Sequence, residues 1–206
     1  EQEEWSHEFE LKYEGSEREG LGFGCSVSLV DNTALVGVCS EQFNLAYVYQ
    51  RTFDSSGTPS WSLETELRPL QSAAGDKFGW AVALSADRRT AVVGASGEAS
   101  CASGVNGDAA DLYCPNSGAA YVFVAGSAGW SQEAYLKRKT RPIGPVDWRY
   151  WERFGWSVAV SAAGDRVLVG APYERGCARG VDGPPPDAGS GHYGCNQAGA
   201  AFLFQR

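Results

Sequence analysis

Residues 78–123, FGWAVALSADRRTAVVGASGEASCASGVNGDAADLYCPNSGAAYVF, decide the fold. They read as three short strands. Phe78–Leu84 is the first, a polar turn at 85–89 follows, and Thr90–Ala95 is the second. A long loop rich in Gly, Ser, Asn and Asp then leads to the third strand, 119–124. Each run is rich in Val, Ala and aromatics and is bounded by Gly, Ser or Asp, as strands between turns require.

The stretch recurs on both sides. Residues 154–172 repeat it as FGWSVAVSAAGDRVLVGAP, followed by a Cys-bounded loop and GAAFLF at 199–204. Residues 23–40 repeat it in shorter form as FGCSVSLVDNTALVGVCS, with LAYVY at 45–49. A further motif, W-S-x-E-x-x-L, falls at 5–11, 61–67 and 130–136. Two copies directly follow a third strand. The first copy stands alone at the N-terminus, and the last repeat has none after it. The expectation is an all-β, β-propeller-type array of three four-stranded blades. Residues 1–20 are an orphan outer strand and linker, and 21–70, 71–140 and 141–206 are the three repeats of one domain. The N-terminal strand is expected to complete the last blade, either in cis or from another subunit.

Composition narrows the function. The net charge of −8 argues against nucleic acid or an anionic membrane surface as partner. No run is apolar for long enough to cross a bilayer as a helix. No stretch reads as a signal peptide, and the lack of Met points to a mature or excised segment. The six cysteines form one local pair per repeat: Cys25 with Cys39, Cys101 with Cys114, and Cys177 with Cys195. Local pairing and an even count point to disulfides and to an extracellular or cell-surface location. There is no C-x-x-C for a metal site.

The repeats resemble FG-GAP repeats, the blades of the integrin α-chain propeller and of many bacterial and algal surface proteins. The residues that carry the resemblance are F-G-W-x-V-A-x-S at 78–85 and 154–161, VGA at 93–95, VGAP at 169–172, GAAYVF at 118–123 and GAAF at 199–202. The likeness covers nearly the whole chain and implies a protein that binds or builds and does not catalyse. The calcium-binding blades of that family carry D-x-D-x-D-G-x-x-D between the first two strands. Here those loops read LVDNTA, LSADRRTA and VSAAGDRV, too poor in oxygen ligands for calcium. No cofactor is expected; the residual calcium candidates are Asn106, Asp108 and Asp111.

Catalytic signals are sparse. His7 and His192 are the only histidines, and no G-x-S-x-G elbow or phosphate loop accompanies them. Trp80 and Trp156 read as core. The segment RPIGPVDWRYWER before Phe154 carries Trp148, Tyr150 and Trp151, which suit an interface anchor, a sugar-stacking platform or a plug over the blade ends.

Three blades do not comfortably close a ring. An unpaired strand and an unpaired edge would recruit another chain. The expected donor is Trp5, Phe9 and Leu11, and the expected acceptor is Ala200, Phe202 and Phe204. The partner is the rest of a larger propeller or a second copy, in a ring or a filament. The functional expectation is a non-catalytic extracellular structural or adhesive module, with a glycan-binding propeller as the alternative.

Overall fold

The computed structural model describes residues 4–13, 21–139, 152–174, 179–182 and 198–206. Every regular element among them is a β-strand. β1 (Phe23–Val30), β2 (Thr33–Val38), β3 (Ala46–Phe53) and β4 (Pro59–Leu67) form an antiparallel sheet in chain order. β5 (Phe78–Leu84), β6 (Thr90–Ala95), β7 (Ala119–Gly126) and β8 (Gly129–Leu136) form the second. β9 (Ser157–Val160), β10 (Arg166–Ala171) and β11 (Ala200–Gln205) form the third, which has three strands among the described residues.

The sheets are meanders because short turns join neighbouring strands, and antiparallel pairing needs nothing longer. Asp31 supplies the left-handed residue of the β1–β2 turn, with φ 48°. In the second sheet Ser85 and Asp87 close the corresponding turn: Thr90 N donates to Ser85 Oγ at 3.0 Å and Arg89 N to Asp87 Oδ1 at 3.0 Å. Ser161 repeats the device in the third, where Arg166 N donates to its Oγ at 3.0 Å.

The sheets stack face to face. The first apolar cluster joins Leu35, Val48 and Leu67 of the first sheet to Phe78, Val82, Leu84 and Tyr121 of the second. The second joins Val92, Ala120, Val122 and Leu136 to Phe154, Val167 and Val169 of the third. Position in this stack decides burial. β2 and β6 are buried at every residue because a neighbour or a covering segment lies on each face. β10 has nearly the same composition, yet alternates between exposed and buried at its first four residues because only one of its faces is covered.

One feature of the architecture departs from expectation. Residues 4–13 form no strand, and in this chain they do not complete the third sheet. They lie on the opposite end of the stack, where Leu11 and Tyr13 pack against the apolar face of the first sheet. The reason is the aromatic surface there: Tyr13 and Phe23 stand 5.9 and 5.7 Å from the Tyr47 ring. Tyr49 Oη donates to the Lys12 carbonyl at 3.5 Å, and Glu8 forms an ion pair with Arg51.

Candidate assembly interface

The contact between consecutive sheets is built on glycine. A Cβ on Gly37 of β2 would lie 2.1 Å from the carbonyl oxygen of Gly79, and one on Gly94 of β6 would lie 2.0 Å from that of Gly155. The Phe78-Gly79 and Phe154-Gly155 pairs therefore press their backbone onto the glycine of the preceding sheet's second strand. Gly79 and Gly155 hold φ of 94° and 85°, a region that L side chains rarely enter. Around each contact, alternate residues of the first strand point to opposite neighbours. Val82 and Leu84 face the first sheet and are 8% and 6% exposed. Their backbone N–H groups donate to Ser26 Oγ and Ser28 Oγ at 3.0 and 3.1 Å.

The two ends of the stack lack this covering. At the first sheet, Val27 and Leu29 occupy the places of Val82 and Leu84 but are 68% and 66% exposed. No atom would meet a Cβ on Gly24. At the third sheet, Leu168 and Leu203 occupy the places of Val92 and Val122, and they are 44% and 66% exposed. A Cβ on Gly170 would meet only Ser157 of its own sheet closely. A cleft of about 310 Å³ opens between β8 and β11, lined by Glu133, Ala134, Leu136, Val167, Phe204 and Arg206.

The expected donor and acceptor residues fall at these ends. Trp5 is fully exposed, Phe9 is half exposed and Leu11 is seated on the first sheet. The side chains of Phe202 and Phe204 turn inward, packing tilted and edge-on against Phe154 at 5.4 and 6.0 Å, while their backbone forms the edge strand; the outward side-chain contact is not theirs. Alternation along β11 gives that role to Leu203. β11 pairs with β10 alone, which leaves its outer backbone edge open among the described residues. Val27, Leu29, Leu168 and Leu203 escaped sequence reading because their counterparts in the second repeat are ordinary core.

Cys25–Cys39 and Cys101–Cys114 are disulfides. Cys177 and Cys195 lie outside the described residues, as do Trp148, Tyr150 and Trp151. Trp80 and Trp156 are half-buried, not core. Their rings meet at a tilt, 5.2 Å apart, with Lys77 and Arg153 each 5.5 Å above a ring face. Each calcium candidate has a side-chain oxygen that accepts a backbone N–H. Asn106 Oδ1 accepts from Tyr135 N at 2.8 Å, Asp108 Oδ1 from Ala110 N at 2.9 Å, and Asp111 Oδ1 from Tyr113 N at 3.2 Å. Among the described residues no group of three His, Cys, Asp or Glu side chains is placed to hold a metal ion.

One buried polar cluster was not legible in the sequence. Lys137 Nζ donates to Glu98 Oε2 at 2.6 Å, to Ser117 Oγ at 2.7 Å and to the Ser100 carbonyl at 2.9 Å. Burial pushes the Lys137 ammonium below its usual range, while Glu98 opposes that shift. Burial also raises Asp76 to about 6, although Ala73 N–H bonds to its carboxylate. This cluster clamps the 96–118 loop against the end of β8. The same loop covers β8's outer edge through the Val105–Leu136 bridge.

The fold and its glycine contacts define an all-β repeat protein of stacked, blade-like sheets. Residues 61–123, from β4 to β7, match the family model for the FG-GAP repeat. No curated protein matches the chain.

Proposed function

We propose that this chain is a non-catalytic structural or adhesive module of the extracellular space, which works through protein–protein contacts and assembles with copies of itself by β-strand sharing. The observation that carries the reading is a mismatch between its ends. The third sheet pairs three strands among the described residues, while residues 5–11 carry the W-S-x-E-x-x-L motif that forms the fourth strand in the other two. Strand addition supplies main-chain hydrogen bonds to an edge that otherwise faces water. The two disulfides fit an oxidising compartment. No cofactor is invoked.

Light scattering coupled to gel filtration, with electron microscopy of any large species, tests the reading. A dimer supports a six-bladed ring, and fibres support a polymer. A protein that stays monomeric at high concentration defeats it. Deletion of residues 1–14 should abolish assembly, and an unchanged oligomer would refute the role given to that segment.

A further inference from the structure

We infer that the open face of the third sheet in one copy docks onto the open face of the first sheet in another, and that the second copy's residues 5–11 form the docked sheet's fourth strand without leaving their place. This rests on the self-assembly reading above and names the surface that carries it.

The N-terminal segment already stands where the outer strand of a preceding blade would stand. In the register of the first two sheets, Trp61 lies opposite Arg51 and Trp130 opposite Ala125. One residue is skipped at a bulge, Glu64 in β4 and Glu133 in β8. Glu133 reaches forward to the next sheet and pairs with Arg206 at 2.6 Å. Glu8 holds the same place in its motif, and it pairs with Arg51, the residue of the first sheet that corresponds to Arg206. Leu67 and Leu136 also pack forward, into the clusters of the following sheets, as Leu11 packs on the first. The segment thus stands in the place of the outer strand of a preceding blade, beside Val27 and Leu29, the surface that the other strands of such a blade would cover.

The third sheet of a second copy supplies those strands. It repeats the faces that are buried twice inside the chain: Gly170 for Gly37 and Gly94, Leu168 for Leu35 and Val92, and Leu203 for Val48 and Val122. Ser157 stands at the position of Ser26, ready to accept from Val27 N as Ser26 Oγ accepts from Val82 N. The β4 and β8 registers carry over. Leu11 falls opposite Ala201, Phe9 opposite Leu203 and Trp5 opposite Arg206, with Glu8 at the bulge.

Charge fits as well. Lys137 follows Leu136 and locks onto Glu98. Lys12 follows Leu11, and Glu174 is the third sheet's counterpart of Glu98. Both glutamates close the same turn: Glu98 N donates to Ala95 O and Glu174 N to Ala171 O, each at 3.1 Å. Their carbonyls accept from Gly118 N and Gly199 N, each at 2.9 Å. The contact is head to tail, since its two halves are different surfaces.

Two variants test this by sedimentation velocity. One carries Val27→Asp and Leu29→Asp, and the other Leu168→Asp and Leu203→Asp. All four side chains are exposed, so both chains should fold, which circular dichroism checks. The wild type should assemble, each variant alone should be monomeric, and an equimolar mixture should form a one-to-one dimer and nothing larger. A mixture that stays monomeric overturns the head-to-tail contact. If the wild type and both variants alone assemble alike, this interface is wrong but self-assembly stands. A monomeric wild type at high concentration ends both.

Discussion

Gly94 and Gly155 meet backbone to backbone: a Cβ on Gly94 would lie 2.0 Å from the Gly155 carbonyl oxygen and 3.0 Å from its carbon. No rotamer change relieves such an overlap, because the obstacle is main chain. Gly94→Ala should therefore destabilise the fold by roughly 2–3 kcal/mol, the range of a forced shift in a packed core. Gly170→Ala is the control. Its Cβ would meet Ser157 Oγ at 2.2 Å, a side-chain atom that can rotate away. Urea unfolding should show a change of less than about 1 kcal/mol there, while assembly should be lost, because the proposed contact seats the next copy's Gly24 on Gly170.

The buried Lys137–Glu98 pair gives a second outcome. Lys137→Met leaves the Glu98 carboxylate enclosed without its cation, a change worth about 3–5 kcal/mol. Adding Glu98→Leu to Lys137→Met should recover most of the loss, since an apolar pair needs no compensation for removing two charges from water. If the double variant in a urea melt is no better than the single, the pair matters through geometry that hydrophobic packing cannot replace.

Asp76 makes stability depend on pH in an unusual direction. Its folded pKa, about 6, lies above the ordinary carboxylate value of 3.8, chiefly through burial. The folded state therefore binds more protons than the unfolded state between those values, and stability falls as pH rises from about 4 to 6. At 1.36 kcal/mol per unit the contribution is about 3 kcal/mol at most. Asp76→Asn keeps an oxygen to accept from Ala73 N, and it should flatten this slope and raise the melting temperature at pH 7. An unchanged profile would mean that Asp76 ionises normally.

The proposed strand register can be read chemically. Directly opposed residues of antiparallel strands have Cα atoms about 4.5–5.5 Å apart, within disulfide reach. A chain with Phe9→Cys and Leu203→Cys should give a ladder of linked species on non-reducing gels after mild oxidation. Moving one cysteine to His7, with Leu203→Cys retained, should reduce cross-linking sharply. Equal yields from both pairs would rule out this register.

The strand content, the turns and the repeat were legible in the sequence because they are local. Phe78–Leu84 and Thr90–Ala95 announce themselves by β-branched and aromatic runs between turn residues, and the structure keeps those bounds. Cysteine spacing gave Cys25–Cys39 and Cys101–Cys114 for the same reason: each pair is closed by nearby chain. The repeated W-S-x-E-x-x-L likewise marks residues 5–11 as an outer-strand copy without local partner strands.

What lay beyond the sequence depends on what stands next to each sheet. TAVVGA and RVLVGA are nearly the same strand, yet the first is buried throughout and the second presents Leu168 to water. Val82 and Val27 occupy one place in the repeat, and only stacking makes one core and the other surface. The placement of residues 4–13 on the first sheet was equally hidden, since the Glu8–Arg51 pair and the Leu11 contact join residues far apart in the chain. Sequence fixes which residues a strand can bury through local propensity and alternation. Tertiary structure alone decides which it does bury, because burial is set by a neighbouring sheet that the strand's own residues do not encode.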